Sequence, residues 1–73
     1  MSATLVEIFK TDIETQYTAE LARMRLLDLF PHAKINFDLE DCDRILRIEG
    51  RDFSIHLIIE AINILGYNCE ILD

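Results

Sequence analysis

Seventy-three residues carry 14 acidic and 7 basic side chains, for a net charge of −7, and 51% of them are hydrophobic. That is one domain near the lower limit for a self-sufficient core, so either the packing is tight or a partner supplies further burial. The seven bases do not cluster, which argues against a nucleic-acid or anionic-membrane role, and no apolar run approaches the ~18–20 residues of a membrane span.

Thr4 to Lys10 alternates as Val6 and Ile8 against Leu5, Glu7 and Phe9, the pattern of a strand with one face mostly buried. Glu7 and Lys10 interrupt the apolar stretch and no basic region precedes it, so it does not resemble a signal peptide; a cytoplasmic protein is the expectation. The stretch Lys10-Thr11-Asp12-Ile13-Glu14-Thr15-Gln16-Tyr17-Thr18 joins this strand to a long helical pattern. Strand-to-helix turns bring backbone N–H groups and loop side chains together, so chemistry is expected there. Thr11-Asp12-Ile13-Glu14 has the form of a capping box, and Thr11 or Asp12 is predicted to cap a helix from about Thr15 to Phe30. Pro31 forbids its continuation.

At 100° per residue this helix shows two apolar stripes. Ala19, Ala22, Leu26, Leu29 and Phe30 form the expected core face; Tyr17, Leu21 and Met24 form a second stripe on roughly the opposite side. Ile35, Phe37 and Leu39 alternate with Asn36 and Asp38 as a second strand. Glu40-Asp41-Cys42-Asp43 is a turn by composition, and Arg44 to Glu49 returns as a third strand with Leu46 and Ile48 inward. Asp52 or Ser54 is expected to cap a second helix running to about Leu65, with Gly66 as its C′ residue. Its core stripe is Ile55, Ile58, Ile59, Ile62 and Leu65, and Leu57, Ala61 and Ile64 make a second one. Asn68 to Leu72 reads as a short last strand with Cys69 and Ile71 facing in.

The order is β-α-β-β-α-β. Right-handed crossovers then give an α+β, ferredoxin-like fold: a four-stranded antiparallel sheet in order 4-1-3-2 with both helices on one face. Leu5, Phe9, Ile45 and Leu72 are expected on the open sheet face, mixed with Glu7, Arg47 and Glu49.

With this element order, and with Glu60-Ala61-Ile62-Asn63-Ile64-Leu65-Gly66-Tyr67 closing an Ile-rich second helix, the chain resembles the heavy-metal-associated domain family of small copper-chaperone-like proteins. The resemblance covers nearly the whole length. The family's signature in the first strand-to-helix turn is M-x-C-x-x-C. Here Ile13 stands at the Met position and Thr15 and Thr18 at the two Cys positions. The spacing is kept and the soft thiolates are gone, so Cu(I) or zinc handover does not carry over to Thr15 and Thr18. The resemblance implies a relative that keeps the scaffold and its habit of docking, without a cofactor. A metal carrier with a non-standard site is the alternative, and a small-ligand sensor similar to the ACT family is a second.

In this topology Asp12, Glu14, Glu40, Asp41, Cys42 and Asp43 are expected to gather at one end of the sheet. The residues for a non-standard metal site are Cys42, Asp12 and Asp41, but the acids lack a calcium-loop spacing and read first as solvated turn residues and caps. A cation or a basic protein partner would relieve their mutual repulsion. Cys42 and Cys69 lie 27 positions apart, with neither a zinc pattern nor a disulfide framework. Cys42 is expected to be exposed, and Cys69 buried on the opposite edge. His32 and His56 read as surface residues. No nucleophile–base pairing and no basic phosphate-cradling loop of the acylphosphatase kind is present, so no enzyme is expected. The surplus stripes, Tyr17, Leu21 and Met24 with Leu57, Ala61 and Ile64, point instead to a two-fold homodimer. The open sheet face is the rival surface.

Overall fold

The computed structural model describes residues 4–72. Its elements are β1 (Leu5–Thr11), α1 (Gln16–Leu29), β2 (Lys34–Asp38), β3 (Ile45–Gly50), α2 (Ile55–Ile64) and β4 (Cys69–Ile71). The sheet order is β2-β3-β1-β4, which is 4-1-3-2 read from the other edge, and every pairing is antiparallel. Phe9, Ile35, Leu46, Ile48 and Cys69 of the sheet share one core with Ala19, Ala22 and Leu26 of α1 and Ile58, Ala61 and Ile62 of α2. Both helices therefore cover the same face, and the expected ferredoxin-like architecture is the one found.

The two faces of β1 are the reverse of the expectation. Phe9 pairs with Leu46 and Ile71 and is fully buried under the helices, so Leu5, Glu7, Phe9 and Thr11 share the inner side. Val6, Ile8 and Lys10 occupy the open face with Ile45, Arg47, Glu49 and Leu72 instead. Alternation in Leu5–Thr11 cannot by itself decide this, because both sets hold apolar residues. The register with Leu46 decides it, by giving the largest side chain of the strand a place in the core.

The helices begin and end by side-chain chemistry, though not always the expected one. α1 is capped by Thr15, whose hydroxyl accepts the Thr18 N–H at 3.2 Å. The capping box at Thr11 does not form: Thr11 is the last residue of β1 and is buried. Ser54 caps α2 through the Leu57 N–H, as expected. At its other end Gly66 takes φ +96°, with Tyr67 N–H donating to the Ile62 carbonyl and Gly66 N–H to that of Asn63. That pair of bonds is the Schellman motif.

Three stripe assignments change. Ala61, expected on the outer stripe of α2, is only 4% exposed and belongs to the core. Leu29 and Leu65, expected in the core, are exposed. Helical angle alone misplaces them because the burial boundary depends on how closely each helix approaches the sheet and its neighbour. Alanine permits close approach, whereas Leu29 is the last residue of α1 and Leu65 the C-cap of α2.

Candidate functional site

The β1–α1 turn, the β2–β3 turn and the α2–β4 connection meet at one end of the sheet. Thr11 holds the first two together. Its N–H donates to the Asp43 carbonyl at 3.1 Å and its hydroxyl to the Arg44 carbonyl at 2.7 Å, and the same oxygen accepts the Ile13 N–H at 3.3 Å. Asp12 holds the third: its two carboxylate oxygens accept the Asn68 N–H and the Asn68 Nδ2, each at 2.8 Å. Ile13, between these anchors, is fully buried.

Thr15 and Thr18 are brought together at the start of α1. The Thr15 hydroxyl donates to the Thr18 hydroxyl at 3.0 Å while accepting the Thr18 N–H, so both side chains serve the start of α1. This is a neutral pair of hard oxygen donors, suited to closing a helix end and unsuited to a soft metal.

Asp12 does not join the acidic group expected around it, since both of its oxygens are engaged by Asn68. Asp41, Cys42 and Asp43 do converge, with one ligand atom from each within 4.8 Å of the others. Asp41 Oδ1 already accepts the Asp43 N–H at 2.8 Å, so turn geometry accounts for its orientation. Arg44 closes this turn with φ 45°, donating its N–H to the Asp41 carbonyl. Glycine is the usual residue at such a left-handed position.

The two thiols lie as expected and are both free, Cys42 exposed and Cys69 buried. Burial, helped by the neighbouring charge of Glu70, pushes the Cys69 thiol up to about 12. On the exposed flank of α1, hydrogen bonds from Arg23 hold Glu20 below the usual carboxylate range. His32 and His56 are exposed, and His56 faces Glu60 at 3.6 Å. At the opposite end of the sheet an open cleft of about 510 Å³ includes Phe30, His32, Lys34, Arg51 and Phe53 in its lining. Its two cations are balanced by Glu49 and Asp52 in the same wall.

The outer helical surface is the other expected site. Tyr17, Leu21 and Met24 are 75%, 44% and 56% exposed, and Leu57 and Ile64 on α2 are 41% and 68% exposed. The open sheet face is more polar: Lys10 pairs across strands with Glu70, Lys34 with Glu49 and Asn36 with Arg47. No helix among the described residues is long and apolar enough to cross a membrane.

Sequence reasoning did not find the Thr11 and Asp12 anchors. Asp12 and Asn68 are 56 positions apart, and the only signal available was the predicted sheet order, which sets the start of the last strand beside the end of the first. No protein-family model, curated protein or solved structure matches this chain.

Proposed function

We propose that the chain is a non-enzymatic protein-interaction module on a scaffold similar to the heavy-metal-associated domain, one that has given up metal handover and acts as a homodimer. The observation that carries this reading is the signature turn. Ile13 fills the core, and the Thr15 and Thr18 hydroxyls are engaged with each other and with the first turn of α1. Support for the second part comes from the helices, where Tyr17, Leu21, Met24, Leu57 and Ile64 stand exposed. Large apolar groups gathered on one face are characteristic of an interaction site.

Competition against a Cu(I) or Zn²⁺ chelator at neutral pH tests the first half. The wild type is expected to release the metal to the chelator, whereas Thr15→Cys with Thr18→Cys is expected to retain Cu(I), because the spacing and turn suit two thiolates. Failure of that double variant to bind overturns the family resemblance. Tight binding by the wild type that disappears with Cys42→Ser supports instead a carrier built on Asp41, Cys42 and Asp43. Sedimentation of the wild type tests the second half, and a monomer at high micromolar concentration rejects the homodimer.

A further inference from the structure

We infer that two copies of the chain associate by laying α1 antiparallel against α1 of a second copy, about a two-fold axis between Leu21 and Met24. The inference rests on the homodimer reading and adds its geometry and its register.

Tyr17, Leu21, Met24 and Asp28 are separated by four, three and four positions, the spacing of a helix-pairing seam. At 100° per residue they fall within about 60° of one another. All four are exposed, on the side of α1 away from the buried Ala19, Ala22 and Leu26. The spacing reads the same from either end. A reversed copy therefore sets Leu21 against Met24 twice, and Tyr17 against Asp28 twice. This self-complementarity is what a two-fold interface requires, and it favours a second copy over a foreign helix.

Charge selects the antiparallel arrangement. A parallel pair in register would bring the two Asp28 carboxylates together in an apolar seam, an unrelieved repulsion. The reversed pair presents each Asp28 to the phenol of Tyr17, which can donate a hydrogen bond to it. The backbone agrees. α1 has no acidic residue in its first turn and no basic residue in its last, and Asp28 lies in that last turn, against the negative end of its own helix. In the reversed pair Asp28 lies beside the first turn of the second copy's α1, where the dipole favours a negative charge. Leu57 and Ile64 are exposed on the neighbouring α2.

The test uses the full chain with Cys42→Ser, so that no adventitious disulfide intervenes, and follows sedimentation over a wide concentration range. Tyr17→Glu is expected to weaken association at least about tenfold by facing two carboxylates. Tyr17→Glu combined with Asp28→Arg is expected to recover it, since opposite charges then face each other. Both positions are exposed, and a thermal melt confirms that each variant folds. As an independent readout, Leu21→Cys mixed with Met24→Cys under mild oxidation is expected to give mainly the mixed disulfide. A dimer that ignores Tyr17→Glu, or that cross-links like with like at these positions, overturns the α1 pairing and leaves the homodimer reading standing. A monomeric wild type overturns both.

Discussion

Thr11 and Asp12 each join segments far apart in the chain. Thr11→Val keeps the shape but removes the hydroxyl that serves Arg44 and Ile13, leaving a partly buried carbonyl and a buried N–H short of their partner. We expect a loss of about 1–3 kcal/mol in urea denaturation. Cys69 gives a pH signature. Its thiol stays neutral in the fold up to about 12, against an ordinary value of 9.0. Since the folded value is raised, the contribution is complete below about pH 9 and declines as pH climbs toward about 12, by ~1.4 kcal/mol per unit once the unfolded thiol ionises. Wild type should therefore lose stability between pH 9 and 11 more steeply than Cys69→Ala, measured by denaturant midpoints. A parallel slope in the two proteins counts against a neutral buried thiol. The location of both thiols was legible from turn composition and strand alternation. The Asp12–Asn68 contact was not, because no local pattern encodes a partner 56 residues away.

The elements show how local chemistry competes. The Thr11-x-x-Glu14 box was a sound capping signal, yet Thr15 caps α1 instead, because β1 retains Thr11 in its pairing with Cys69. Tertiary hydrogen bonds prevailed over a local motif. Thr15→Ala should cost about 0.5–2 kcal/mol and Ser54→Ala a similar amount, read from thermal or urea unfolding. Gly66 and Arg44 form a contrasting pair, both in the left-handed region. A Cβ at Gly66 meets nothing within 4 Å, so Gly66→Ala is opposed by backbone conformation alone, at about 1–2 kcal/mol. Arg44→Gly releases the same kind of strain and is expected to stabilise the chain. Circular dichroism melts of both variants give the signs directly.

As a whole molecule the chain is compact, with a radius of gyration of 11.4 Å against about 11 Å expected for this length. Leu21→Glu with Leu57→Glu places two charges on the outer helical face without touching the core, since both positions are exposed. Sedimentation is expected to show the dimer dissociated while the far-ultraviolet spectrum is retained. If the double variant remains dimeric, the sheet face carries the contact, where Val6, Ile8, Ile45 and Leu72 lie among charged ladders.

Element order, sheet order and the positions of Leu46, Ile48, Ile58 and Ile62 in the core followed from the sequence by itself. Periodicity reports which residues share a face, and right-handed crossovers leave few ways to join the pieces. That Thr15 and Thr18 offer no thiolate was equally plain, because ligand chemistry is a property of residue type. Tertiary structure alone decided which face of β1 turns inward, that Ala61 is buried while Leu29 and Leu65 are not, and that Asp12 anchors Asn68 instead of joining Asp41 and Cys42. Each of these depends on distances between segments remote in the chain. Strand register and the closeness of helix approach set those distances, and neither is written in any local run of residues.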